Sequence, residues 1–318
     1  MSSPETDKTI LTNQIKNLFA EDGFIKTGIS KIEELTKEKI YFSKWLGENR
    51  NADMEWLNKS FEKRINPSLI GEEFISIISA AFIYDTPFRH TDESGTGKIS
   101  RYAWGSSDYH KVLKKKLKII CKKIESVSEG IKTKYYVDDG PVMDKVWAVK
   151  SGIGWMGKNT NVLNADFGSF FFLCEVLINK ELEYDNPVED LCESCTICLN
   201  ACPTGALFEP YKLDANLCIS YHTIENRKEI PEYINLNGWI FGCDICQDVC
   251  PYNKSKIFTE DKSFYPMEKI YNKSFDDLDK ITEDEFNEMF KSSPVKRTKY
   301  SGWKRNIERA KKEKTEKS

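Results

Sequence analysis

At 318 residues the chain has room for about two domains. With 40% hydrophobic residues and a mean hydropathy of −0.54 it can bury a core but is too polar for a membrane protein. Its longest apolar runs, such as 170–174 and 80–84, fall far short of the roughly 20 residues a bilayer-spanning helix needs. The net charge of −3 averages an asymmetry: residues 295–318 hold ten Lys/Arg against three Glu, net +7, so the first 294 carry −10. A basic end on an acidic body points to a polyanionic partner, nucleic acid foremost. The N-terminal residues lack the basic and apolar regions of a secretory signal, so the expected compartment is the cytoplasm.

In chain order, residues 1–70 read as helical. Ile10, Ile15, Leu18 and Phe19 mark one face, a second run covers 32–46 and a third 54–61. The stretch FISIISAAFIY at 74–84 is β-branched and aromatic, lies between Gly71 and Pro87, and reads as a buried strand. Residues 85–100 read as a loop. The clearest helix covers 109–126, with Leu113, Leu117, Ile120 and Ile124 at helical spacing. Seven lysines between Lys111 and Lys123 crowd its other positions, either as a solvated face or as a phosphate-facing one. A short strand at 134–137 and a turn at Asp138-Asp139-Gly140 come next. A helix entered at Pro141 follows, striped by Val142, Val146 and Val149 and ended by Gly152. Residues 169–178 read as a strand, and 275–289 and 303–312 as terminal helices. The expected division is a mixed helix–strand unit over 1–185, a cysteine-rich unit over 186–256, and a C-terminal helical segment with a basic tail over 257–318.

Eight of the ten cysteines fall between Cys192 and Cys250. In a cytoplasmic protein such clustering reads as metal or redox chemistry rather than disulfides. The first set, Cys192, Cys195, Cys198 and Cys202-Pro203, has the x2-x2-x3-Pro spacing of bacterial ferredoxins, whose fourth cysteine serves the other cluster. The second comprises Cys218, Cys243, Cys246 and Cys250-Pro251. The crossing rule assigns Cys192, Cys195, Cys198 and Cys250 to one 4Fe–4S cluster, and Cys202, Cys218, Cys243 and Cys246 to the other. Two such clusters carry single electrons, so something nearby must accept them. Cys121 and Cys174 read as core thiols.

The segment from Gly152 to Lys158 satisfies G-x-G-x-x-G and nearly the P-loop pattern, with Asn159 at the hydroxyl position. Both motifs need a strand before the loop, and the preceding MDKVWAVK has helical spacing instead. Nucleotide binding is therefore rejected, and the loop is expected to let backbone approach some other large ligand.

Taken together, VDDGPV (137–142), GIGWMGKN (152–159), FGSFFFLCE (167–175), the two cysteine sets and GWKRN (302–306) resemble the epoxyqueuosine reductase family. ISRYAWGSSDYH (99–110) and MEWLNKSFEKRINP (54–67) add to the resemblance, which spans residues 40–310. It implies an α+β fold, with a nitroreductase-like cobalamin-binding α/β domain, a ferredoxin-like double-cluster module and a short helical C-terminus. The implied activity is reduction of epoxyqueuosine to queuosine at the wobble position of tRNA, the last step of queuosine synthesis. It would use cobalamin, two 4Fe–4S clusters and a low-potential electron donor, in a cytoplasmic monomer without membrane attachment.

The resemblance also carries residue roles. The family's proton donor falls on Asp138, and a buried carboxyl against an apolar corrin is expected to titrate high. The competing role for Asp138, and equally for Asp139, is to cap the helix near Pro141. Arg64, Arg101, Lys158, Val162, Leu173, Ser220, Gly242, Cys243 and Asp244 match the cobalamin surroundings, with Tyr102 beside the substrate. His110 and His222 are expected to be structural. Arg305 and Asn306 match the family's RNA motif, and Lys296, Arg297, Lys299 and Lys304 surround them as expected phosphate contacts. Longer family members carry a helical-repeat domain after this motif; here a lysine-rich tail follows, with 311–318 expected to be solvated. Two rivals remain: a cobalamin-dependent reductase of small molecules resembling reductive dehalogenases, and a plain electron carrier, for which 185 leading residues are excessive.

Overall fold

The computed structural model describes residues 4–91, 93–254 and 257–315. Its main sheet has strands β1 (Lys26–Lys31), β2 (Ser76–Ile83), β3 (Thr133–Tyr136) and β4 (Phe171–Ile178). They lie in the order β1-β2-β4-β3, every neighbouring pair antiparallel. All eight residues of β2 are buried, because helices cover both faces of the sheet. A strand covered on both sides reads as a continuous apolar run rather than an alternation.

One face presents Ile78, Ala80 and Phe82 of β2 with Cys174 and Val176 of β4. Helix α1 (Pro4–Glu21) covers it through Ile15 and Phe19, and helix α2 (Tyr109–Val127) through Leu113, Leu117, Ile120 and Ile124. Those four side chains of α2 are fully buried, and each contributes about 1.5–3 kcal/mol of transfer free energy. Asp108 starts the helix by accepting a hydrogen bond from the backbone N–H of His110 at 2.9 Å. Of its lysines, Lys114 pairs with Asp139, Lys116 reaches the carbonyl of Asp22 at 3.0 Å, and Lys111 reaches Ser292 at 3.3 Å.

The other face presents Ile77, Ala81, Ile83 and Leu177 to helix α3 (Asp144–Lys150), which buries Trp147 and Ala148. This helix begins three residues later than Pro141 implies. Its N-cap is Met143, with no side-chain cap, so neither Asp138 nor Asp139 caps it. The 275–289 segment is two helices, Phe275–Asp279 and Glu283–Met289. A capping box between Thr282 and Glu285 starts the second and so interrupts what looked like one amphipathic run.

The remaining core stitches distant segments together. Ile99 and Trp104 pack with Ile240 and Phe241, and with Phe286, Phe290, Trp303 and Ile307. Strand β5 (Trp239–Phe241) pairs in parallel with Lys98–Ile99. Preceding it is helix α4 (Ile219–Ile224), and helix α5 (Lys299–Thr315) closes this core. The tail is therefore not simply solvated: Glu313 is buried and accepts the Leu236 N–H at 2.9 Å, while residues 316–318 lie outside the described residues. No helix among the described residues is long and apolar enough to cross a membrane.

Candidate active site

The cysteine loops bring the eight thiols into two groups. All ten cysteines are free thiols. Cys192, Cys195, Cys198 and Cys250 line one pocket, with Lys158, Asn159, Leu163 and Tyr252. Cys202, the first cysteine followed by proline, is not among them and faces the second group. There, burial raises the Cys246 thiol, and Cys218 and Cys202 raise it further. Burial likewise raises Cys243, with added pressure from Cys246 and Cys218. Four thiols around one pocket, and four more in mutual electrostatic reach, are donor sets of the kind and number that a 4Fe–4S cube requires. Burial also pushes Cys121 up to about 11 and holds Cys174 well above the ordinary thiol range, as inert core thiols.

The glycine-rich loop packs against this first group. It forms a hairpin, Trp155–Met156 against Val162–Leu163. A Cβ on Gly154 would stand 1.9 Å from the carbonyl oxygen of Leu163, so the close approach that requires glycine is to the chain's own backbone. The hairpin lays Trp155 and Leu163 against Cys192 and Cys250. The Trp155 indole N–H donates to Cys192 Sγ at 3.4 Å. Lys158 is buried in the same wall and donates to the Glu193 carbonyl at 2.5 Å. It therefore lines the thiol pocket. No sequence motif announces Trp155 as a neighbour of Cys192; an indole two residues before a predicted close approach was the available signal.

Asp138 lies in the turn after β3 with φ of +53°. It is exposed rather than buried, and its carboxylate accepts the Tyr109 hydroxyl at 2.6 Å. Tyr109 is locked by stacking on Phe172, with ring centroids 4.2 Å apart. Tyr102 packs edge-on against Tyr109 at 6.0 Å. Burial first, and then Asp138, push the Tyr102 hydroxyl above its ordinary value. Arg64 donates to Ser60 Oγ at 2.8 Å and to the Val142 carbonyl at 2.9 Å, and its guanidinium feels both Asp144 and Asp138. Lys145 spans the gap: burial lowers it, while Asp138 on one side and Cys246 and Cys218 on the other raise it. Lys145 and Asp138 are nevertheless solvent-exposed, and Tyr102, Cys218, Cys243 and Cys246 half-exposed. Asp138 and the second thiol group thus both stand in electrostatic reach of Lys145, at a water-accessible part of the surface.

The other expected residues divide. Ser220 hydrogen-bonds the Cys218 thiol, Leu173 is half-buried, and Val162 is buried. Gly242 has φ of +69°, and a Cβ there would lie 2.5 Å from Ser100 Cβ, so only glycine fits. Asp244 is fully buried. It accepts the Arg101 N–H at 2.9 Å and the Ser100 hydroxyl. Burial opposes its ionisation, yet His90, Arg101 and Ser100 hold its carboxyl below the usual range. Its side chain offers no free edge to a ligand and acts as a tie between loops. Arg101 pairs with Asp248 at 2.5 Å and lies over the Phe170 ring at 4.5 Å. It lines a cavity of about 410 Å³ with Arg89, His90, Lys98 and Trp239. His222 is buried, bonded to the Asn216 carbonyl at 2.8 Å, and lowered by burial; His110 stacks on Tyr109 at 4.0 Å. Both are structural.

The expected RNA contacts also divide. Arg305 donates to the carbonyls of Asn226 (2.9 Å), Lys228 (2.6 Å) and His222 (2.8 Å). Asn306 is fully buried and donates to the carbonyls of Thr223 and Ile240, both at 2.9 Å. The motif thus clamps the α4 region and β5, with Asn306 buried and Arg305 half-exposed. Lys304 is spent on Asp279. Lys296, Arg297 and Lys299 remain exposed. Arg297 pairs with Glu225 and feels Tyr102 and Asp138, which sets it on the side of the fold that carries Asp138.

Comparison with known proteins agrees with this geometry. Residues 191–253 match the 4Fe-4S double cluster binding domain, and residues 64–139 match the domain described as epoxyqueuosine reductase QueG. The chain is 43% identical over 288 residues to an epoxyqueuosine reductase of Cellulophaga algicola, covering 90% of this chain and 93% of that one. It is 44% identical over 303 residues to one of Atelocyanobacterium thalassa, covering 93% and 97%. The fold is similar to a solved epoxyqueuosine reductase with an epoxyqueuosine-modified tRNA-Tyr stem loop, with a TM-score of 0.88 at 30% identity over 96% of this chain and 82% of that one. A Bacillus subtilis epoxyqueuosine reductase with its aspartate catalytic loop swung out of the active site gives 0.87 at 30% identity, with the same coverage.

Proposed function

Since the chain belongs to the epoxyqueuosine reductase family, we propose that it reduces epoxyqueuosine to queuosine at the wobble position of tRNA, the final step of queuosine synthesis. The observation that carries this reading is that Lys145 stands in electrostatic reach of both Asp138 and the second thiol group, and the cofactor cleft is read between them. The fit to cobalamin rests on the half-exposed side chains Tyr102, Leu173, Ser220 and Cys243, and on Gly242, where a Cβ would meet Ser100. Cobalamin would lie there between Tyr102, Asp138, Leu173, Ser220, Gly242 and Cys243. When bound, it supplies a strongly reducing, nucleophilic cobalt, and the clusters on the two thiol groups supply its electrons.

The chain's own residues do the remaining work. The net reaction consumes two electrons and two protons, converts the epoxide to an alkene and releases water. An epoxide oxygen leaves poorly as an alkoxide, so a proton must arrive as the bond breaks. Asp138 is the group in position to donate it, and Tyr109 holds its carboxyl in one orientation. Lys296, Arg297 and Lys299 contact phosphates of the anticodon loop and set the affinity, while the splayed base enters the cleft. The three segments act as a cofactor-binding domain (1–185), an electron-transfer module (186–256) and a helical support (257–318). The protein works as a cytoplasmic monomer that accepts electrons from a low-potential donor.

Anaerobically reconstituted protein is expected to hold about eight irons and one cobalamin per chain, and to convert epoxyqueuosine-containing tRNA when given a low-potential reductant. Full iron loading without cobalamin uptake would return the protein to the electron-carrier class.

A further inference from the structure

Two side chains in the wall of the first thiol pocket have no part in the mechanism above. Trp155 is buried, and its indole N–H donates to Cys192 Sγ at 3.4 Å. The hairpin fixes that direction. Trp155 stands directly opposite Leu163 across the strand pair, and its indole meets the Tyr252 ring edge-on, with centroids 4.9 Å apart. Tyr252 is held in turn by its hydroxyl, which donates to the Leu191 carbonyl at 3.1 Å. An indole N–H is a donor only, so a buried one needs an acceptor. Here the acceptor is one of the four sulfurs that the first cluster takes.

Lys158 is the second. It is buried and lines the same pocket as Cys192, Cys195, Cys198 and Cys250. Its ammonium has three N–H donors, and among the described residues its acceptor is the neutral Glu193 carbonyl. A desolvated cation with one neutral acceptor is poorly compensated. Four thiolates around iron supply the missing negative charge. The second thiol group is lined differently, by hydroxyls: Thr204 Oγ1 lies 3.8 Å from Cys202 Sγ, and Ser220 reaches Cys218. Lys145 stands in electrostatic reach of that group, yet it is exposed. It turns its ammonium to the Thr160 carbonyl at 2.8 Å and to Asn161 Oδ1 at 3.1 Å.

We propose that Trp155 and Lys158 raise the reduction potential of the cluster on the first thiol group, an inference that rests on the clusters and not on the substrate. Reduction adds one electron, taken from the low-potential donor, and makes or breaks no bond to the protein. The added negative charge spreads onto the sulfurs. There an N–H donor and a buried cation both stabilise it, which favours the reduced form. Both residues act through the cluster and are positioning residues for it. The hydroxyl-lined second group receives no such help, so the effect is selective.

Potentiometric titration of the anaerobically reconstituted holoenzyme, followed by electron paramagnetic resonance, gives a midpoint for each cluster. Cys250→Ser identifies which signal belongs to the first. Trp155→Phe keeps an aromatic ring and removes the N–H. It is expected to disfavour reduction of the first cluster by about threefold to tenfold in the equilibrium constant, roughly 30–60 mV for one electron, with the second midpoint unmoved. Lys158→Met is expected to lower the first midpoint in the same way, and Lys158→Arg to leave it at the wild-type value. A first midpoint unmoved in Trp155→Phe or in Lys158→Met with iron retained, or an equal shift of both clusters, overturns the proposal. Where a variant loses iron, wild-type protein carrying tryptophan labelled with heavy nitrogen decides. Pulsed resonance of its reduced first cluster is expected to show coupling to the indole nitrogen, and absence of that coupling overturns the proposal. If the wild type takes up both clusters yet leaves epoxyqueuosine-containing tRNA unreduced, the reductase reading falls and the midpoints still decide the tuning.

Discussion

The cysteine segment and the basic segment near residue 300 look equally informative in one dimension, and they fold to opposite effect. Between Cys192 and Cys250, spacing fixes partners. Three thiols within seven residues must converge, and a following proline turns the fourth away, so the crossing of Cys250 to one group and Cys202 to the other is already written in the chain. Between Lys296 and Asn306, the six residues Lys296, Arg297, Lys299, Lys304, Arg305 and Asn306 carry charge or hydrogen-bonding capacity but no such constraint. Half of them turn inward: Arg305, Asn306 and Lys304 satisfy six backbone carbonyls and the Asp279 carboxylate between them, and Asn306 takes the carbonyls of Thr223 and Ile240. A thiol ligand has one use, and spacing reveals it. A guanidinium binds a phosphate and a row of carbonyls equally well, and only the surroundings decide.

That contrast can be broken most sharply at the cysteines. Cys250→Ser is expected to lose the cluster of Cys192, Cys195 and Cys198 and to keep the other, so iron falls from about eight to about four per chain. Cys202→Ser is expected to spare the first cluster, and the two variants together to abolish turnover. Iron analysis with electron paramagnetic resonance of each variant distinguishes this pattern from an uncrossed one, in which Cys202→Ser would empty the first site. Next in size, Asp138→Asn is expected to lower kcat by about a hundredfold or more with melting temperature and tRNA affinity unchanged. Tyr109→Phe, which only frees the carboxyl to turn, is expected to cost less. Rapid-quench turnover assays measure both.

The basic segment tests the other side. Asn306→Ala leaves two buried carbonyls unpaired, which is expected to destabilise the protein by about 2–4 kcal/mol. Denaturant unfolding reads this directly, and tRNA affinity per folded molecule is expected to stay the same. A selective loss of tRNA binding with full stability would instead restore Asn306 to the RNA surface. The smallest effect is expected from charge reversal at Lys296, Arg297 and Lys299, which alters stability by no more than about 0.5 kcal/mol. It is expected to weaken tRNA binding at low salt and to flatten the salt dependence by about two to three phosphate contacts. Filter binding over a salt series measures that slope.

Elsewhere the same division holds. The buried strand β2, the helix α2 with its four inward residues, and the core thiols Cys121 and Cys174 were all legible, because periodicity and composition report burial directly. The start of α3 was misplaced by three residues, since proline marks a permitted helix start and not an obligatory one. Asp138 was legible only through its resemblance to a family motif; its exposure, its positive φ and its bond to Tyr109 come from how the turn sits on α2.

By itself, the sequence determined which thiols group together, which segments are buried, and that a basic end is joined to an acidic body. These follow from reach along the chain and from the cost of exposing apolar surface. Only the tertiary structure decided what the glycine-rich loop approaches and which basic residues remain exposed. Those outcomes depend on the direction in which a side chain leaves the backbone and on what another, distant segment brings to meet it.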